Sequence, residues 1–232
     1  MEIGEIISDA LHYPFGHVKA LVIYMVLSFL VFLIASFTLG GATLAEAGGA
    51  SIGIIGIIGL LLIIVIGLLM DGFALDLIKL GIERSDEEPQ LDIVSQIING
   101  IKYLITAIIY FIIPIVVMAL LSAVNNTLGA IVGAILFIVF AFAFLMGECR
   151  LAKTDSLGYA LNIGEAIKDI TRIGVVKILA VLIIVAIVVL ILNWISSLLG
   201  TGIIGSIVSA IIAAYTMFFT SRASGLLYSD IA

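Results

Sequence analysis

The stretch Glu148–Lys177, ECRLAKTDSLGYALNIGEAIKDITRIGVVK, decides the reading of this chain: it is the largest polar island, set between two long apolar runs. Its first residues end one membrane span, its middle reads as an amphipathic helix, and its last residues enter the next span. It carries half of the ten basic residues. The same order of amphipathic helix, span, short turn and span is found twice more on working outward from it.

Composition places the chain in a bilayer. Hydrophobic residues make up 63% and charged residues 11%, against roughly 45–50% and about 25% in soluble domains. The net charge of −6 comes from a few segments, with no basic block of the kind that binds nucleic acid. A single cysteine, Cys149, excludes an intramolecular disulfide, so the fold rests on packing.

Taken in order, MEIGEIISDALHY puts Ile3, Ile6, Ile7, Ala10 and Leu11 on one helical face and Glu2, Glu5, Asp9 and His12 on the other. That is the pattern of a helix lying in a membrane interface. Val18–Leu39 then supplies a first span, long enough at ~1.5 Å per residue to cross a core of about 30 Å. The small-x-small site Ala45, Glu46, Ala47 would fit a cleaved leader, but the acidic start and the long apolar run favour an uncleaved span. A second span runs from about Ser51 to Met70. The polar segment DGFALDLIKLGIERSDEEPQ follows, and LDIVSQIINGIKY predicts a second interfacial helix. Span three covers about Leu104–Leu121 and is expected to kink at Pro114. Span four covers about Leu128–Gly147, and spans five and six cover about Val175–Leu198 and Gly202–Thr220.

The connectors after spans one, three and five contain no Lys or Arg. By the positive-inside rule, both termini and the polar loops are therefore expected in the cytoplasm of a multi-pass cell-membrane protein. A repeat is expected as well. At offsets of 90 and 160 residues the amphipathic segments align Glu2, Asp92, Asn162; Glu5, Ser95, Glu165; Asp9, Asn99, Asp169; and His12, Lys102, Arg172. The second spans align at offsets of 77 and 72, matching Gly56, Gly133, Gly205, then Asp71, Glu148, Thr220, then Phe73, Arg150, Arg222.

The expected fold is thus all-α: one membrane domain over residues 1–232 with six transmembrane helices. These form three pseudo-repeated hairpins in units of about 1–90, 91–160 and 161–232, each preceded by a cytoplasmic interfacial amphipathic helix. Gly53, Gly56, Gly129, Gly133, Gly202 and Gly205 are expected at close helix contacts, since small residues let helices approach in lipid. Asp71, Glu148, Arg150 and Arg222 fall within one turn of the cytoplasmic ends of spans two, four and six. They are expected to form a ring of ion pairs, with an ion pathway as the alternative.

Other motifs carry less. Gly49–Gly53 matches G-x-S-x-G, but Ser51 and the two histidines, His12 and His17, are expected on opposite membrane faces, and no strand-turn-helix elbow is present. Gly200–Gly205 matches G-x-G-x-x-G without a preceding strand. His12 and His17 are five residues apart, the wrong spacing for two ligands on one helical face. Cys149 has no resolving partner and reads as a small packed residue. Asn125, Asn126 and Thr127 form a glycosylation sequon on the expected outer side.

The pair Asp71–Gly72, the acidic patch ending at Pro89, the Asn-Gly-x-Lys of Asn99–Lys102 and the segment Gly225–Tyr228 together resemble the archaeal multispan membrane family known as domain of unknown function 4013. The resemblance implies an archaeal membrane setting and brings no activity or catalytic residue. The chain is therefore expected to be a non-catalytic membrane scaffold, or a component that binds lipids or partners, without a cofactor or metal. The alternative is a small transporter or channel using the charges of spans two, four and six. Expected partners are membrane lipids, other membrane proteins or further copies of the chain, and no nucleic acid.

Overall fold

The computed structural model describes residues 1–45, 50–198 and 202–232, with the side chains of 39–45, 50–55 and 203 outside that description. Glu46, Thr201 and the surroundings of Gly53 lie outside the described residues. The helices are α1 (Ile3–Gly16), α2 (Val18–Ala45), α3 (Ala50–Ile82), α4 (Ile93–Val124), α5 (Asn126–Thr154), α6 (Leu157–Ala160), α7 (Ile163–Ile173), α8 (Val175–Leu198) and α9 (Ile203–Tyr228). No strand occurs among the described residues. Six helices, α2, α3, α4, α5, α8 and α9, are long and apolar enough to cross a membrane.

Local chemistry sets the boundaries. Asp92, Asn125 and Asn162 each accept a hydrogen bond from a first-turn N–H, of Ser95, Leu128 and Glu165 respectively, and so start α4, α5 and α7. Pro14 and Gly16 close α1, and Gly174, at a φ of 97°, turns the chain between α7 and α8. Nothing comparable separates Lys102 from Leu104. The expected second interfacial helix is therefore not a separate element: its residues form the first turns of α4, which continues unbroken through Pro114. The expected span ends are also corrected. α3 runs eleven residues past Asp71 to Ile82, and α5 and α9 each run six residues past Glu148 and Arg222. The candidate charges therefore lie inside helices, between about one and about three turns from their ends.

α3, α5 and α9 touch one another at the centre of the bundle, while α2, α4 and α8 pack outside them. α1 packs on α9 and α8, and α7 packs on α5. The apolar side of α1 is thus covered by the chain itself: Ile6 and Ala10 are fully buried. Phe73 of α3, Phe218 of α9 and Tyr24 of α2 meet with ring centroids 5.7–6.2 Å apart. Ile58, Leu61, Val116, Ile138 and Leu190, on central and outer helices alike, remain exposed, the surface a bilayer would cover.

Close helix contacts use some of the expected glycines and several others. A Cβ at Gly129 or Gly133 would meet Ser122 or Met118 across the α4–α5 hairpin, and Gly205 is buried. Gly56 and Gly202 are corrections: a Cβ at either finds nothing within 4 Å, because those positions face away from neighbouring helices. The tightest crossings lie elsewhere. Gly72 abuts the Gln96 backbone, Gly100 abuts the Leu68 backbone, and Gly81 faces Gly225 where α3 crosses α9.

Candidate functional site

The four charges of the expected ring come to neighbouring helices but do not pair with each other. Arg222 is 2% exposed and turns toward α1, where Nε donates to Asp9 Oδ1 at 2.7 Å. Its Nη1 donates to the carbonyls of Leu80 and Ser85 at 3.1 and 2.6 Å, and its guanidinium lies 4.3 Å from the Tyr13 ring centroid. Arg150 turns toward α7, donating to Asp169 Oδ2 at 2.8 Å and to the Tyr159 carbonyl at 2.9 Å. Asp169, 1% exposed, also accepts from Arg172 and from the Tyr228 hydroxyl. The physical reason is supply: each arginine has an aspartate on a docking helix within reach, together with backbone carbonyls that satisfy its remaining donors.

Asp71 and Glu148 are left facing the centre. They line one cavity of about 210 Å³ with Tyr103, Thr220, Ser221 and Ser224, between α3, α4, α5 and α9. Among the described residues neither carboxylate has an ion-pair partner. A groove of about 560 Å³ runs between α2, α8 and α9 and shares Met217 and Thr220 with that cavity. Its walls include Asn193, Ser196, Ser209 and Thr216. A crevice of about 290 Å³ between α5 and α8 reaches Glu148 from the other side, through Phe142, Phe144 and Leu182.

The acidic loop after α3 is tied down over the corner between α1 and α2. The Tyr13 hydroxyl donates to the Glu87 carbonyl at 2.6 Å, and the Ala20 N–H donates to Glu88 Oε1 at 2.9 Å. His17 Nδ1 and Nε2 lie 2.8 and 2.9 Å from the carbonyls of Tyr13 and Asp86, while His12 Nδ1 sits 2.7 Å from the Ser8 carbonyl. Burial pushes the Tyr13 hydroxyl up to about 12, against the opposing pull of the Arg222 guanidinium. Cys149 is fully buried, its sulfur 3.7 Å from the Ser224 carbonyl. Among the described residues no three His, Cys, Asp or Glu are grouped to hold a metal.

Asp230 joins three more elements, receiving Lys177 of α8, the Met1 amino group and Arg84. Burial raises its carboxyl, but the hydrogen bonds from Lys177 and the amino group outweigh that and hold it below the ordinary carboxylate value. A depressed folded-state value means stability that is present above the unfolded value and lost as pH falls through the folded one. Asp230→Asn should therefore lower the melting temperature at neutral pH. The difference from the parent should shrink below about pH 4 as the parent carboxylate titrates.

Sequence reasoning did not identify Asp9 and Asp169 as the arginine partners. The signal was available in the alignment, which matches Arg150, Arg222 and the neutral Phe73, and likewise matches Asp9, Asp169 and the neutral Asn99.

Six long apolar helices around a packed helical core define a polytopic membrane protein. The chain belongs to the family described as protein of unknown function (DUF4013), whose profile matches residues 55–221, more than half its length. No curated protein and no solved structure matches it.

Proposed function

We propose that the chain is a non-catalytic component of the cell membrane that acts by binding lipids or other membrane proteins, with both termini and the polar loops in the cytoplasm. In this reading it is built from three equivalent units, each a docking segment and a hairpin, in which every docking segment packs on the second span of the preceding unit. The carrying observation is that Arg222 and Arg150 are each engaged by an aspartate of a docking helix, so these charges hold helices together. The pattern closes on itself: α7 docks on α5, the first turns of α4 dock on α3, and α1 docks on α9. Burial supports the equivalence, because the aligned residues Ile6, Gln96 and Ala166 are each 0% exposed. The amphipathic character of α7 supports it too, since Ala166, Asp169 and Ile170 are buried while Lys168 and Arg172 are exposed.

Two measurements test this reading. In a Cys149→Ser background, cysteines at Glu46, Asn126 and Thr201 should react with an impermeant external thiol reagent in sealed cells, and a cysteine at Glu87 should not. Labelling at Glu87 would overturn the orientation. Protein purified from native membrane should retain lipids and leave them chemically unchanged on prolonged incubation. Hydrolysis or transfer of a headgroup would overturn the non-catalytic reading.

A further inference from the structure

We propose that Asp71 and Glu148, with the hydroxyl oxygens of Thr220 and Ser221, form a binding site for a monovalent cation that enters along the groove on α9 lined in part by Ser209, Thr216 and Thr220. This goes beyond the scaffold reading and does not depend on it. The two carboxylates come from different central helices and share one cavity, inside segments long enough to span a membrane. Ionised carboxylates in such a place need a positive partner. Among the described residues none pairs with them: the two nearby arginines, Arg150 and Arg222, are occupied by Asp169 and Asp9.

The rest of the cavity presents oxygen as an acceptor. Thr220 Oγ1 donates its hydrogen to the Thr216 carbonyl at 2.8 Å, and the Ser221 hydroxyl points its hydrogen at the Met217 sulfur at 3.3 Å. The lone pairs of both oxygens are thereby left for a ligand. Carboxylate and hydroxyl oxygens suit a hard cation, and among the described residues no third His, Cys, Asp or Glu is grouped with the pair, as the ligand cage of a divalent ion would require.

The groove gives an independent reason. Thr216 Oγ1 lies in its wall, buried and without a hydrogen-bond partner. Buried polar groups are ordinarily satisfied, so the orphan Thr216 hydroxyl in the groove wall points to something polar that passes or rests there. From Ser209 to Thr220 the groove follows α9 for about 16 Å, roughly half of an apolar core of about 30 Å, and it meets the carboxylate cavity at Met217 and Thr220.

The test uses the full-length protein in detergent at fixed neutral pH, with ionic strength held constant by choline chloride. Radiolabelled sodium should bind saturably, and sodium should raise the melting temperature more than choline does. Asp71→Asn and Glu148→Gln should each weaken sodium binding by about tenfold or more, since each removes a charged ligand. Thr220→Val keeps the side-chain shape and removes one ligand oxygen, so it should weaken binding less. Absence of saturable binding in the parent overturns the proposal, as does parent-like binding by the folded carboxylate variants. Should both carboxylate variants fail to fold, Thr220→Val decides: weaker sodium binding supports the site, and unchanged binding overturns it.

Discussion

Asp9→Asn is expected to destabilise the protein toward the lower end of the ~3–5 kcal/mol that breaking a buried ion pair costs, because it leaves Arg222 charged, enclosed and short of its carboxylate. The lower end applies because the Asp9 side chain is 38% exposed, so water reaches it in part. A double-mutant cycle of Asp9→Asn with Arg222→Gln, read by thermal or denaturant unfolding in detergent, should show a coupling well above 1 kcal/mol. The same cycle between Asp71→Asn and Arg222→Gln should be additive within about 0.5 kcal/mol, since the two side chains share no partner. Reversing the Asp9–Arg222 pair should not rescue it. An aspartate at position 222 would face the carbonyls of Leu80 and Ser85, which offer lone pairs where hydrogen-bond donors are required. Coupling between Asp71 and Arg222 as strong as that between Asp9 and Arg222 would reinstate the ring of ion pairs.

The second large effect is expected at Gly100. Its missing side chain lets α4 rest on the Leu68 backbone of α3, and Gly72 makes the reciprocal contact against the Gln96 backbone. Backbone atoms cannot rotate aside as a side chain would, so the two helices must move apart to admit even one carbon. Gly100→Ala should cost about 1–3 kcal/mol by overpacking, and Gly100→Leu should prevent the α3–α4 crossing from forming. Gly56→Ala is the control. A Cβ there meets nothing within 4 Å, so unfolding should be unchanged, or improved by up to the roughly 0.5–1 kcal/mol by which alanine outdoes glycine in a helix. Equal losses at Gly56 and Gly100 would show that helix propensity, and not helix approach, sets the cost.

Much of the architecture was legible in the residues themselves. An apolar run of about 20 residues has one stable way to satisfy its backbone in lipid, so runs such as Val18–Leu39 and Val175–Leu198 could be read as helices without knowledge of their neighbours. Caps and breakers were equally local: Asn162 starts α7 and Gly174 ends it by their own hydrogen bonding and backbone freedom. The polar pattern of Asp92–Lys102 by itself predicts a separate helix, but no breaker stands between Lys102 and Leu104, so the helix continues into the span.

What the sequence by itself determined, then, is the set of helices, their apolar surfaces and the one end where the basic residues gather. Each of these follows from backbone hydrogen bonding and transfer of side chains between water and lipid, one segment at a time. Only the tertiary structure decided which charge meets which and which glycine is crowded. Those depend on the rotation of each helix about its axis. Arg222 reaches Asp9, 213 residues away, because α1 lies across α9, while Asp71 and Glu148 share a cavity because α3 and α5 turn those positions inward. A side chain's spacing along its own helix places it on a face; the packing of the other helices determines what that face meets.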